Sequence, residues 1–272
     1  MSSPALTVNA ESVEAELMRR LAVLAPASAA EALGMTSGRV GGGVVISLRH
    51  DPAGGFFNRA LGLGLTEPVT TDVIAEVLDF HRRHGSPACH VQIAPDLLPP
   101  DWAGIAATHQ LHVGSALVKV AAEVDDVKPA GTDLRIGPVG ADQVDAWAAL
   151  TWELFEIPNP HLAAAVAAVA RTDSSQAFAA WDGDVMVGVA NLFMHGETAQ
   201  LNSGATRATH RRRGVQSALI AERTAWAADA GCRWVVTEAE KPAVEGGNQS
   251  LNNMIRAGFT PLYERPNWIW RP

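Results

Sequence analysis

Residues 209–232 read THRRRGVQSALIAERTAWAADAGC, and this stretch decides how the second half of the chain is organised. Val215, Ala218, Leu219 and Trp226 recur at helical spacing, which predicts a helix over 215–230 that buries those four side chains. Gly231 stands where a left-handed cap would end it. Immediately upstream, residues 199–206 alternate as a strand. The order is therefore strand, basic loop, Gly214, long helix. The first N–H groups of a helix have no partner within it, and the helix dipole adds positive potential at the same end. Such a junction holds a small anion of the pyrophosphate kind. Gly214 has no β-carbon to keep phosphates away from the backbone, and Arg207, Arg211, Arg212 and Arg213 gather cations on an otherwise acidic protein of formal net charge -8.

Working outward, residues 134–137 read as a strand, 141–155 as a helix with Val144, Trp147, Ala148 and Phe155 on one face, and 163–171 as a second helix. Residues 157–160 separate the two helices, because proline cannot continue a helix. Residues 176–181 and 185–194 form a hairpin about Asp182-Gly183, a pair suited to a tight turn with positive φ. After the long helix come a strand at 232–238, a loop with Pro242, Gly246 and Gly247, a short helix at 250–257 stopped by Gly258, and strand-like segments at 259–263 and 268–270. The first half alternates a helix (13–24), strands (43–48, 58–63), a helix (71–84), a strand (89–94), a helix (100–109) and a strand (116–123). This order predicts an α/β class with a mixed sheet flanked by helices in each half. VDDVKPAGTD, residues 124–133, has no apolar periodicity and supplies the linker at 127–133, between domains at 1–126 and 134–272.

The 272 residues, 47% hydrophobic and only 18% charged, favour two folded domains over disorder. The acidic balance argues against nucleic acid or an anionic membrane as partner. Cys89 and Cys232 lack metal-ligand or disulfide spacing and read as buried apolar residues, so no metal is expected. No apolar run approaches the length of a membrane span, and the start of the chain reads as an amphipathic helix rather than an export signal, so a cytoplasmic location is expected.

The loop is similar to the coenzyme A loop of the GNAT acyltransferases, whose pattern is Q/R-x-x-G-x-G/A. Arg211 falls on the first position and Gly214 on the first glycine, whereas Gln216 stands where the second glycine or alanine would be. WDGDVMVGVANL (181–192) resembles the family's second and third strands, and GNQSLNNMIRAGF (247–259) its closing helix with the terminal Gly-Phe. The resemblance covers residue 134 to the C-terminus. It implies that acetyl-CoA is the co-substrate, held by backbone groups of Thr206, Arg212, Arg213, Gly214, Val215, Gln216 and Ser217, with Arg211 near the phosphates and Asn253 close to the pantetheine arm. The first half, including FFNRALGLGL (56–65), looks like a degenerate GNAT domain of a tandem pair that has no cofactor loop.

Acyl transfer from a thioester to an amine needs the amine neutral and oriented, and a proton for the departing thiolate. Glu238 and Glu240, at the end of the strand beside the expected cleft, are candidate bases. The family's tyrosine in the closing helix is replaced here by Met254, which leaves Tyr263, the one tyrosine in the chain, or water as the acid. Glu153, Glu156 and Asn159 of TWELFEIPNPH are candidates for recognising a cationic acceptor, a small-molecule or peptide amine. The expectation is an N-acetyltransferase working by direct transfer in a ternary complex. A non-catalytic acyl-CoA-binding regulator and a tandem transferase with another donor or acceptor stand as alternatives, and association of two copies is left open.

Overall fold

The computed structural model describes residues 4–272. Two compact units divide the chain. One runs to Leu117 and takes back Tyr263–Pro272, and the other is Val118–Leu262.

The first unit holds α1 (Pro4–Leu24), α2 (Ala27–Leu33), β1 (Met35–Val40), β2 (Gly43–Leu48), β3 (Arg59–Leu61), α3 (Thr71–His84), β4 (Cys89–Gln92), α4 (Trp102–Thr108) and the start of β5 (His112–Glu123). The second continues from β5 through β6 (Arg135–Pro138), α5 (Val144–Leu154), α6 (Pro160–Ala170), β7 (Ser175–Asp182), β8 (Val185–His195), β9 (Thr198–Thr206), α7 (Val215–Asp229), β10 (Trp234–Glu240) and α8 (Gln249–Arg256) into β11 (Thr260–Trp270). Strand order is β1-β2-β3-β4-β11 in the first unit and β5-β10-β9-β8-β7-β6 in the second. The β3·β4 and β9·β10 pairs are parallel, while β1·β2, β2·β3, β4·β11, β6·β7, β7·β8 and β8·β9 are antiparallel. The expected α/β class with mixed sheets and flanking helices is what the structure shows.

The hairpin at Asp182-Gly183 forms as expected, with Gly183 at φ 60 and Asp182 paired with Val185. Both cysteines are buried and free. Other expectations need correction. Helix α2 and strand β1 did not stand out in the sequence, and α1 begins near Pro4 rather than at 13. The two strand-like segments at the C-terminus are one strand, since Pro261 and Pro266 did not end it. Trp226 is 38% exposed, with its ring edge-on to Phe178 at 5.7 Å, and Phe155 is 43% exposed. The buried face of α7 carries Ile220, Arg223 and Thr224 beside Val215, Ala218 and Leu219, so it wraps further round the helix than apolar residues alone indicate.

Residues 127–133 belong inside the second unit rather than between the units. The Lys128 N–H donates to the Ala257 carbonyl at 2.9 Å, and the Thr132 hydroxyl donates to the Arg213 carbonyl at 2.6 Å. A stretch without apolar periodicity is thus ordered by polar contacts to α8 and to the loop before α7. Among the described residues no helix is long and apolar enough to cross a membrane.

Candidate functional site

Strand β9 ends at Thr206, a single 3-10 turn spans Ala208–His210, and α7 starts at Val215. The chain turns into the helix through two left-handed residues, Arg212 at φ 65 and Gly214 at φ 79. An L-residue in this region costs about 1–2 kcal/mol, so the turn at Arg212 stores strain. A β-carbon on Gly214 would lie 2.8 Å from the Gly131 carbonyl oxygen, which makes glycine a steric requirement as well as a conformational one. The first bond inside the helix runs from the Ala218 N–H to the Gly214 carbonyl at 3.0 Å. Among the described residues, no acceptor faces the N–H groups of residues 212–217, and Gly214 brings no capping side chain.

The four cations do not act alike. The Arg213 guanidinium turns away from the open amides and bridges Asp133 and Asp182; it holds both carboxyls below the usual carboxylate range, and they hold it charged. Arg207 pairs with Glu153 at 2.8 Å. Arg211 and Arg212 are exposed and make no ion pair with the described residues; Arg211 only donates to its own Thr206 carbonyl at 3.4 Å. Two guanidiniums, rather than the four that were expected, remain for an anion at the helix start.

Beyond this turn, β9 and β10 pair only from Thr198 with Trp234 to Gln200 with Val236, and their remaining residues, 201–206 and 237–240, part. The register of β8 against β9 also shifts between Val189 and Asn191, and Ser203 sits at φ 55, so β9 bulges where it leaves its neighbour. Bulges of this kind re-aim backbone and side chains beside functional sites. Helix α8 flanks the opening. Its Asn248 side chain caps the helix by accepting from the Leu251 N–H at 3.1 Å. Gln216, where the motif would have glycine or alanine, uses its larger side chain to join α7 to α8. It donates to the Ser250 hydroxyl at 2.7 Å and accepts from the Asn253 amide at 2.6 Å.

Glu238 lies within β10 rather than at its end, 16% exposed and ion-paired at 2.7 Å with the buried Lys119 of β5. Glu240 is the exposed last residue of β10. Tyr263 belongs to the first unit, where its hydroxyl donates to Glu11 at 2.6 Å; burial and that carboxylate raise it far above the usual phenol range. Of the candidates for acceptor recognition, Glu153 is engaged with Arg207, Glu156 is exposed at φ 61, and Asn159 caps α6 by accepting from the N–H groups of His161 and Leu162 at 2.9 and 3.0 Å. An Asn-Pro pair is a capping signal at a helix start, and it accounts for Asn159. The sequence reading missed Lys119, which looked like any strand lysine, and Arg223, which looked like a charge on a solvated helix face. Neither carries a local signal, since their burial arises from elements distant in sequence.

Residues 144–259 match the family model described as Acetyltransferase (GNAT) family. Among solved structures, the chain is similar to a GCN5-related N-acetyltransferase from Kribbella flavida, at 17% identity and a TM-score of 0.63, covering 97% of this chain and 95% of that one. It is similar as well to a tandem GNAT protein from the clavulanic acid biosynthesis pathway, at 16% identity and a TM-score of 0.60, covering 97% and 96%. A GCN5-related N-acetyltransferase from Sphaerobacter thermophilus gives 15% identity, a TM-score of 0.59, and coverage of 84% and 81%. At these identities the likeness is one of fold. No curated protein matches the chain in sequence.

Proposed function

The chain carries a domain of the GNAT acetyltransferase family over residues 144–259, and from that premise we propose that its second unit transfers an acetyl group from acetyl-CoA to a primary amine by direct attack in a ternary complex. One observation carries the reading: the N–H groups of residues 212–217 stand without acceptors among the described residues, at the start of a long helix. A diphosphate satisfies such donors with charge-assisted bonds, each worth about 1.5–3 kcal/mol. Arg211 and Arg212 add the nearby positive charge. From there the pantetheine arm runs past Gln216 and Asn253 into the opening between β9 and β10, which brings the thioester within reach of an amine entering from the other side of the sheet.

The division of labour among the carboxylates follows from their partners. Glu238 is fixed by Lys119, so it serves as a fixed acceptor that orients the incoming amine. Glu240 faces solvent and takes the amine proton through water. The departing thiolate takes its proton from water, because Met254 has none to give and the Tyr263 hydroxyl is committed to Glu11. Glu156 supplies negative charge for a cationic acceptor, whereas Asn159 contributes as the cap of α6.

The test is calorimetry with coenzyme A, together with thiol release from acetyl-CoA in the presence of pooled amines. Gly214→Glu places a carboxylate and a β-carbon where the Gly131 carbonyl already stands. Affinity should fall by at least about 100-fold, equivalent to about 2.7 kcal/mol, with the thermal transition still cooperative. Unchanged affinity would remove the anion site and the proposal with it. The bar from Gln216 to α8 favours a second reading, an acyl-CoA-binding regulator without turnover. Tight binding with no thiol release for any amine would select it.

A further inference from the structure

Arg223 lies on α7 with only 4% of its surface exposed, and no carboxylate of the described residues pairs with it. Its partners are backbone carbonyls. Nε donates to Leu219 at 2.9 Å, and Nη1 donates to Asn191 at 2.9 Å and to Asn202 at 3.2 Å. Asn191 and Asn202 face each other across β8 and β9 on the edge of the register shift, so one guanidinium nitrogen ties down both strands at the bulge. The second terminal nitrogen, Nη2, makes no hydrogen bond to the described residues. It lies 3.9 Å from the point a β-carbon on Gly204 would occupy, and it is the one atom within 4 Å of that point. Gly204 is exposed and lies on the part of β9 that has left β10.

A buried cation without a counter-ion costs several kcal/mol of desolvation, which three carbonyl dipoles offset only in part. Burial lowers this guanidinium to about 9, so it remains charged near neutral pH. A group held at that cost, with its free donor aimed at an open space, is arranged for a negative oxygen. Depth identifies the oxygen. The Arg223 backbone is eight residues below Val215, about 12 Å along the helix axis. Its guanidinium, turned back to the Leu219 carbonyl, sits between four and eight residues below the helix start, on the side where the acyl end of a cofactor would descend if its diphosphate sat on the amides of α7.

We propose that Nη2 of Arg223 meets the carbonyl oxygen of the acyl-CoA thioester beside Gly204 and stabilises the charge that develops on it. This rests on the acyl-CoA reading of the loop. In the step, the neutral amine nitrogen adds to the thioester carbon and the π pair moves onto the oxygen facing Nη2. The pair then returns as the carbon–sulfur bond breaks, the nitrogen loses its proton through water to Glu240, and the thiolate takes one from water. Preorganised donors at such an oxygen act most strongly where water is excluded.

The readout is the infrared carbonyl stretch of acetyl-CoA labelled with carbon-13 at the carbonyl, bound to the whole protein, with affinity measured in parallel by calorimetry. The wild type should lower the stretch relative to free acetyl-CoA. Arg223→Met should abolish most of that shift and Arg223→Lys should retain part of it, with affinity for coenzyme A itself changed by less than about threefold. Gly204→Ala leaves Arg223 in place and puts a methyl group 3.9 Å from Nη2, in the space the thioester oxygen would need. It should also diminish the shift, and it decides the matter should Arg223→Met fail to fold. A wild-type shift that survives both Arg223→Met and Gly204→Ala, or no shift in bound acetyl-CoA, overturns the inference while the cofactor reading stands. A wild type that binds no acetyl-CoA overturns both.

Discussion

The two units each pass from a strand with one parallel neighbour through a glycine-containing loop into a helix, and the two junctions are finished in different ways. In the first unit β3 leads through Gly62 and Gly64 to α3, where the Thr70 hydroxyl accepts from the Val73 N–H at 3.2 Å and the Thr70 carbonyl accepts from Ile74 at 3.1 Å. The loop carries Glu67 and no cation. Beside β3, Arg59 and Arg265 are buried with Glu11 and Glu14; Arg265 donates to both carboxylates at 2.7 Å. In the second unit β9 leads to α7 with its first donors unfilled and two guanidiniums exposed. One junction has a side-chain cap on its first turn, and the other has none and keeps two exposed guanidiniums beside it. The difference teaches that one strand-loop-helix topology leaves its first helix donors capped or open according to a few side chains.

The sharpest break of this comparison is at the closed junction. Removing Arg265 takes the guanidinium from the buried Glu11 carboxylate while Glu14 keeps Arg59, and breaking a buried pair in this way costs about 3–5 kcal/mol. Arg265→Met should therefore lower stability by that amount in urea denaturation. A loss below about 1 kcal/mol would mean that the cluster is not what stabilises this unit. A smaller effect is expected at the cap. Thr70→Ala removes the acceptor for Val73 and should cost about 1 kcal/mol. Because the cap is structural, it should leave coenzyme A affinity unchanged by calorimetry. An altered affinity would show that the closed junction takes part in binding.

The open junction was legible in the sequence because its features are local: strand alternation, Arg211, Gly214 and a helix of suitable length occur within a few dozen residues. The hairpin at Asp182-Gly183 was legible for the same reason. What the residues alone did not reveal depends on contacts between distant segments. Arg213 reads as one more cation at the phosphates until Asp133, eighty residues earlier, is found to hold it. Tyr263 reads as a candidate acid until Glu11, at the other end of the chain, is found to accept its hydrogen bond. Trp226 looks like a core residue because the helical pattern ignores Arg223, whose charge disguises a buried position. The linker at 127–133 lacks periodicity because its order comes from hydrogen bonds to the Arg213 and Ala257 carbonyls, which leave no mark on composition.

The smallest expected effect bears on how open the second junction is. Gln216 ties the first turn of α7 to Ser250 and Asn253 at 2.7 and 2.6 Å, across the side on which a thioester arm would enter. Hydrogen bonds between partly exposed amides contribute about 0.5–1.5 kcal/mol each, and a ligand that displaces them must supply as much. Gln216→Ala removes the bar, restores the small residue of the motif and favours the helix. Coenzyme A should then bind about threefold more tightly, or about 0.65 kcal/mol, chiefly through faster association. A weaker affinity would reverse the role of Gln216: its amide would then be part of the wall that grips the arm, and the junction would be completed by a side chain in the second unit as it is in the first.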